Sequence, residues 1–419
     1  MEGLLFLAHR LPYPPNKGDK IRSFHLLRHL AQRYRIYLGA FVDDASDWQY
    51  ADALAPYCAE TKLIALHPRR NKLKSLSGLL TGEALTLPFY RNAALSKWAA
   101  DLAREGSVSR GLAFSSAMGQ FMPQSLSRTV MDMVDVDSDK WTQYAQSQAW
   151  PLSWLYAREG RKLSTWEARM TQDFDATLLV SSAEAALLQK RVPEAADKIA
   201  AFENGVDTAY FSPQRDYPNP YSADALSIVF TGAMDYWPNI DAVSWFAEHI
   251  FPTIRQQLST AQFTIVGSRP AAEVQKLARL PGVIVTGSVP DVRPYLAHAN
   301  CAVAPLRIAR GVQNKVLEAM AMARPVVATP QAAEGIRACA GAEFELAHDV
   351  PTFATAVLHH LTHRDETMGK AARAGMLLNY DWHQNLCAMD DYFEPEFPAF
   401  AARTEADTGS AKTTETYPA

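Results

Sequence analysis

At 419 residues the chain is long enough for two domains with separate cores. Its 48% apolar and 21% charged residues exclude a disordered chain, and a net charge of −4 argues against a polyanion binder as a whole. The four cysteines, Cys58, Cys301, Cys339 and Cys387, lack CxxC or metal-ligand spacing, which predicts reduced thiols in a cytoplasmic protein. The opening MEGLLFLAHRLPYPP has too short an apolar run and too little basic lead-in for a signal peptide, and no window approaches a membrane span.

In chain order, strands are predicted at Leu4–Ala8, Ile36–Phe41, Leu63–Leu66, Gly111–Phe114, Thr129–Val134 and Thr177–Val180, alternating with helical stretches. The Pro-rich segment Phe211–Tyr221, FSPQRDYPNPY, has the turn and rigid-linker chemistry of a domain boundary. Beyond it, strands at Ser227–Thr231, Phe263–Val266, Val283–Thr286, Cys301–Ala304 and Val326–Ala328 again alternate with helices. This repetition predicts an α/β protein with a parallel sheet in each half, hence two Rossmann-like domains facing a cleft. The expected layout is residues 1–210, a linker at 211–221, a second domain at 222–380, a helix within 381–396 and a loose Thr-, Glu-, Ala- and Ser-rich tail at 397–419.

Several stretches carry candidate chemistry. His9–Asp19, HRLPYPPNKGD, is a loop after the first strand in which Gly18 is the flexible residue. In the span His9–Arg35 seven Arg and Lys stand against Asp19 alone, and Arg69–Leu80, RRNKLKSLSGLL, mixes basic residues with Leu76, Leu79 and Leu80, a pattern suited either to an anionic bilayer or to a solvated face. Val130–Trp141, VMDMVDVDSDKW, twice spells the carboxylate pair of a divalent-metal site, through Asp135 with Asp137 and Asp137 with Asp139. At the C-terminal end of a parallel strand these residues can instead line the acceptor side of the cleft or cap the next helix through Ser138 or Asp139, and these roles are preferred to a metal.

Cys301–Thr329, CAVAPLRIARGVQNKVLEAMAMARPVVAT, reads as strand, polar loop, helix, tight turn and strand. Arg307 falls in the loop and Lys315 in the first helical turn, so two cations lie beside a helix N-terminus that already favours an anion. Glu318, one turn on, has the two acceptor oxygens that suit a vicinal diol such as a ribose. Together these features predict a nucleotide-diphosphate pocket. The absence of GxSxG, HExxH, GxGxxG and GxxxxGK[ST] strings argues against hydrolase, zinc-protease, dinucleotide-oxidoreductase and P-loop readings.

The segment resembles the signature of the family-4 retaining glycosyltransferases of GT-B fold, through Arg307, Gly311, Lys315, Glu318, Ala319, Met320, Ala321, Pro325 and Val326. The resemblance implies that Arg307 and Lys315 stabilise the leaving diphosphate and that Glu318 holds the nucleotide ribose. Gly232, Gly311 and Asn314 then face the donor, as does Arg310, which stands where many members carry an acid that touches the donor sugar. Gly18, Asp19, Asp135 and Asp137 are assigned to the acceptor side. Phe202–Tyr210, FENGVDTAY, is similar to the NGVD segment before the interdomain crossing, and the helix candidate Asp381–Tyr392 would cross back to the first domain. Ile228–Asn239, IVFTGAMDYWPN, is similar to the first strand and loop of the donor domain, without the cations often found after the glycine.

VDVDSDKW resembles the sugar transferases associated with exosortase and PEP-CTERM exopolysaccharide clusters, a likeness that runs over most of residues 1–395. The implied activity is transfer of a hexose, with retention, from a UDP- or GDP-linked donor to a saccharide or lipid-linked saccharide in exopolysaccharide assembly. It needs no cofactor, no metal and no nucleic acid, and places the enzyme in the cytoplasm, with the basic first domain a candidate for peripheral contact with the inner face of the membrane. The alternatives are a sugar-nucleotide epimerase of the same fold and a non-catalytic subunit that binds nucleotide sugar.

Overall fold

The computed structural model describes residues 1–15, 17–309, 311–363 and 366–394. Arg310 and the tail expected at 397–419 lie outside them, as does the end of the helix expected within 381–396. Backbone contacts divide the chain into two units, Met1–Phe202 together with the residues from Leu386 onward, and Glu203–Asn385.

The first unit is built on β1 (Gly3–Ala8), β2 (Arg35–Val42), β3 (Glu60–Ala65), β4 (Arg110–Phe114), β5 (Arg128–Val134), β6 (Ala176–Leu179) and β7 (Ile199–Ala201). They form one parallel sheet in the order β3-β2-β1-β4-β5-β6-β7. The apolar runs that predict the strands are apolar because helices cover both faces, and Leu4 through Ala8 have no exposed surface at all. Edge strand β3 carries Glu60 and Lys62, charges that discourage pairing with another chain.

The second unit repeats the plan with β8 (Leu226–Thr231), β9 (Ala261–Val266), β10 (Val283–Gly287), β11 (Cys301–Ala304), β12 (Val326–Ala328) and β13 (Glu345–Leu346). Their order is β10-β9-β8-β11-β12-β13, all parallel. In each sheet the first strand is central and the order reverses beside it, the switch point outside whose strand C-termini open α/β sheets bind ligands.

The helices that matter for function are α1 (Gly18–Leu30), α2 (Pro68–Ser75), α3 (Ser77–Thr81), α4 (Asp137–Ser147), α5 (Leu152–Asp173), α6 (Trp237–Trp245), α7 (Asn314–Ala321) and α8 (Trp382–Asp391).

Phe211–Tyr221, expected to link two domains, is packed within the second unit. Phe211, Tyr217 and Tyr221 lie against its core, Tyr221 donates its hydroxyl to the Tyr295 carbonyl at 2.8 Å, and Arg373 donates to the Phe211 carbonyl at 2.6 Å. The prolines there shape an ordered surface strap, and the units divide instead between Phe202 and Glu203. At its other end the second unit holds Asp381 through a bridge to Val206, and the chain then returns to the first unit. There Asp390 pairs with His29 at 2.9 Å and Arg33 at 2.6 Å, and Arg128 donates to the Tyr392 carbonyl at 2.9 Å.

Candidate functional site

In the second unit, three elements converge at the end of β8. Gly232 follows that strand with φ 159°, and a Cβ there would stand 2.8 Å from the Asn239 amide nitrogen and 3.5 Å from Lys315 Cε. Asn239 belongs to the first turn of α6, and its Oδ1 accepts a 2.6 Å hydrogen bond from Lys315 Nζ. The same ammonium stands 5.0 Å from the centroid of the Phe230 ring.

Helix α7 positions the lysine because Val316, Leu317, Ala319, Met320 and Ala321 bury one face against the sheet. That leaves Lys315 and Glu318, three residues apart, on another face. Gln313, the N-cap, takes the Val316 N–H on its carbonyl at 2.9 Å but makes no side-chain cap, so it does not cover the N–H groups of Asn314 and Lys315 ahead of it. Asn314 Oδ1 is buried and has no hydrogen-bond partner.

Burial pulls the Lys315 amine down to about 8, with Glu318 opposing the shift. Burial likewise pushes the Glu318 carboxyl up to about 7, with Lys315 opposing it. Both groups carry charge together only in a narrow interval near neutrality, and a ligand that engages the ammonium or the carboxylate widens that interval. Tyr210 lies within the electrostatic reach of Glu318, and its ring lies 3.7 Å beneath the Arg293 guanidinium, which Asp291 holds through bonds of 2.7 to 3.0 Å.

Arg307 does not join Lys315 directly. Its guanidinium forms a bidentate pair with Asp241, through Nε at 3.0 Å and Nη2, and stands 5.6 Å from the Trp245 ring. Asp241 and Asn239 are two residues apart on α6, so they point to different sides of that helix and hold the two cations apart. Asp241 takes Nε and one Nη2 hydrogen, so Arg307 keeps its Nη1 donors for a second anion. Gly311, with φ 67°, accepts a bond from the Gln313 side chain at 3.0 Å; the neighbouring Arg310 lies outside the described residues.

The loop after β9 packs against the loop that follows Gly232 and carries a cation of its own. A Cβ on Gly267 would stand 1.7 Å from the Gly232 carbonyl oxygen, and Met234 donates its N–H to the Ser268 carbonyl at 2.8 Å. These contacts press the two loops together and bring in Arg269, whose φ is 52° and whose guanidinium is 3.6 Å from Asp235. Sequence reasoning missed Asn239, Asp241, Arg269 and Arg293. Asn239 had a signal, since it ends the loop that follows Gly232, but the other three depend on pairings between distant strands and loops.

In the first unit a second polar cluster gathers at the C-terminal ends of β1, β2 and β5. Gly18 opens α1, and the adjacent Asp19 takes bonds from Arg10 and, at 3.3 Å, from His9. Against the burial that would raise it, His9 and Arg10 hold the Asp19 carboxyl well below the usual carboxylate range. Arg10 also donates to Asp43 at 3.0 Å. Burial pushes the Tyr90 phenol up to about 12, and Arg10, Asp43, Asp137 and Asp19 all act on it electrostatically, so this ring stands among the acids assigned to the acceptor.

Asp135 and Asp137 share one ammonium, that of Lys140, at 2.7 and 3.1 Å. Ser138 and Asp139, expected as helix caps, take other roles. Val136 is the N-cap and offers no side chain for the purpose. The start of α4 is capped from outside, by Glu184 on the Val136 N–H at 2.8 Å and Glu167 on the Ser138 N–H at 2.9 Å, while Asp139 pairs with Arg191 at 2.6 Å. Immediately upstream Val134 adopts φ 69°, a left-handed conformation costly for a β-branched residue and a form of strain that concentrates at functional sites.

Because Lys140 already supplies the positive charge between Asp135 and Asp137, EDTA is expected to leave turnover of the wild-type protein unchanged. A loss of turnover restored by Mn²⁺ would make these aspartates metal ligands.

Residues 225–363 match the family model described as glycosyl transferases group 1. No curated protein matches the chain in sequence. Among solved structures, the chain is similar to sucrose-phosphate synthase from Thermosynechococcus elongatus, with 18% identity, a TM-score of 0.68 and coverage of 93% of this chain and 98% of that one. It is similar to WaaG, a glycosyltransferase involved in lipopolysaccharide biosynthesis, at 15% identity and TM-score 0.64, covering 93% and 99%. It is also similar to Anabaena HepE in complex with UDP and glucose, at 13% identity and TM-score 0.62, with the same coverage. With two parallel α/β sheets of matching order, these likenesses identify the GT-B fold.

Proposed function

We propose that the protein is a retaining glycosyltransferase that moves a hexose from a UDP- or GDP-linked donor to a saccharide or lipid-linked saccharide, in exopolysaccharide assembly. The observation that carries this reading is the convergence of Gly232, Asn239, Lys315 and Glu318 around the open N-terminus of α7, inside the segment that matches the group 1 glycosyl transferase model. The uncapped N–H groups and the Lys315 ammonium suit a diphosphate, and the carboxylate one turn away suits a ribose diol. HepE, a protein of the same fold, is described in complex with UDP and with UDP-glucose, which supports a uridine donor.

In this mechanism the protein's part is electrostatic. Lys315 and the α7 N-terminus offset the charge that grows on the diphosphate as the glycosidic bond breaks, and Arg307 adds to them through the N–H groups that Asp241 does not take. The acids around Tyr90 in the first unit accept bonds from acceptor hydroxyls and orient the nucleophile.

The test is incubation with UDP- and GDP-sugars, with and without saccharide acceptors. Transfer with retained anomeric configuration, read by NMR of the early product, supports the reading. An isomerised sugar nucleotide formed without acceptor would replace it by an epimerase, and binding without turnover by a partner subunit. Glu318→Ala is expected to weaken the nucleoside part selectively, about tenfold, by loss of hydrogen bonds to the diol. Equal affinity of the wild type for ribo- and 2′-deoxyribonucleotides would remove Glu318 from that role.

A further inference from the structure

Two stretches of the first unit, far apart in sequence, come together as one exposed apolar face. Helices α2 and α3 turn Leu73, Leu76, Leu79 and Leu80 outward, Leu80 being 93% exposed. The turn between α4 and α5, with the first residues of α5, turns out Trp150, Leu152 and Trp154, Trp150 being 81% exposed. Arg158 joins the two, donating from Nη2 to the Gly78 carbonyl at 2.6 Å. The adjacent Glu159 takes the N–H groups of Leu85 and Thr86 at 2.6 and 2.9 Å. Trp154 lies one helical turn before Arg158, so it shares the side of α5 that touches α3. Among the described residues of the first unit, Met1, Trp48 and Tyr144 are the only exposed large apolar side chains outside these stretches, so the exposure is concentrated.

The charge on this face has one sign. From Thr61 to Gly82 the chain contains Lys62, Arg69, Arg70, Lys72 and Lys74 and no acid, and from Lys140 to Arg158 it again contains no acid. Arg161 and Lys162 follow, both exposed. Glu159 is buried on backbone N–H groups, and Glu83, the first acid beyond α3, is paired with Arg91 at 3.0 Å.

We propose that this face docks the protein on an anionic lipid bilayer. Trp150, Trp154, Leu79 and Leu80 enter the interfacial layer, and Arg69, Arg70, Lys72 and Lys74 lay their aliphatic stems along it with their charges among the headgroups. The charge complementarity selects this occupant. Leucines and tryptophans interleaved with cations match a medium that is apolar at depth and anionic at its surface, and a protein partner would need apolar and acidic sites at the same spacing. The inference rests on neither Lys315 nor Glu318, and its test is independent of theirs.

The experiment is co-sedimentation of the full chain with vesicles of phosphatidylcholine alone and of phosphatidylcholine mixed with phosphatidylglycerol. The expected result is binding to the mixed vesicles, released by salt, with little binding to phosphatidylcholine. Trp150→Ala combined with Trp154→Ala is expected to weaken that binding about tenfold or more, as is Leu79→Ala with Leu80→Ala. Gln at Arg69, Arg70, Lys72 and Lys74 together is expected to abolish the preference for phosphatidylglycerol. All these side chains are exposed, so the variants should melt as the wild type does and keep the nucleotide-induced thermal shift. Wild-type protein that ignores both vesicles would overturn the proposal, as would a tryptophan variant that binds like the wild type or binding indifferent to phosphatidylglycerol. A tryptophan variant that turns a dimer into a monomer while vesicles stay unbound would assign the face to a second copy of the chain. Nucleotide binding that fails while vesicle binding persists would sink the donor-site reading alone.

Discussion

Lys315→Ala is expected to weaken binding of a nucleoside diphosphate roughly 10- to 100-fold and to leave the free nucleoside nearly unaffected. The lost interaction is charge-assisted, of the kind worth about 1.5–3 kcal/mol. Its geometry is set before the ligand arrives, because Asn239 fixes the ammonium at 2.6 Å and the α7 core fixes the backbone beneath it. Titration calorimetry with nucleoside, monophosphate and diphosphate separates the contributions. A loss equal across all three would mean a damaged fold, and no loss for the diphosphate would take Lys315 out of the site. The wild type should also show a pH window. With the Lys315 amine pulled down to about 8, affinity falls as pH rises through that value and the charge disappears. With Glu318 pushed up to about 7, the ribose contact weakens as pH falls through it. Calorimetry between about pH 6 and 9 should therefore find the tightest binding near the middle.

The second large effect is on stability. Arg22 on α1 and Asp132 on β5 form a bidentate pair at 2.7 and 3.1 Å, with side chains 1% and 0% exposed, and the guanidinium stands 4.9 Å from the Phe202 ring. Arg22→Ala leaves a carboxylate in the core without its counter-charge and is expected to destabilise the first unit by about 3–5 kcal/mol. Burial raises the Asp132 carboxyl even with Arg22 beside it, and removal of Arg22 raises it further. A carboxyl whose folded value lies above its unfolded value loses stability as pH rises between the two, so the variant should be weakest at neutral pH and partly rescued in mild acid. Arg22→Met with Asp132→Leu should recover most of the loss, because both charges leave together. Equal melting of Arg22→Ala and wild type would contradict the burial on which the argument rests.

The sheets were legible in the sequence because parallel strands covered on both faces leave continuous apolar runs. All eleven predicted strands correspond to strands, with ends shifted by up to three residues. The missed strands, β7 and β13, have three and two residues and sit at sheet edges, too short for any period to register. The convergence of Lys315 and Glu318 was legible from helical spacing. Arg307 was not, because its partner Asp241 is 66 residues away and only the packing of α6 beside the loop brings the two together. The Val130–Trp141 string was legible as polar and helix-initiating, yet its wiring was not. The caps come from Glu167 and Glu184, whose part in the start of α4 no local pattern discloses. The leucines of α3 were visible as a basic-apolar stretch, whereas their link to the helix that carries Trp154 depends on the Arg158 bond to Gly78.

The return of the chain to the first unit at Leu386 has a consequence for the order of synthesis. Asp390 and the carbonyls of Tyr392 and Phe393, which bond His29, Arg33, Arg110 and Arg128, leave the ribosome only after the whole of Glu203–Asn385. At roughly 5–20 residues per second that delay is on the order of 10–40 s. When it ends the second unit has every residue it needs, while the first, begun earlier, still lacks its closing segment. The nascent protein thus completes Glu203–Asn385 before its first unit, and a chaperone acting on it would find the first unit incomplete for longest.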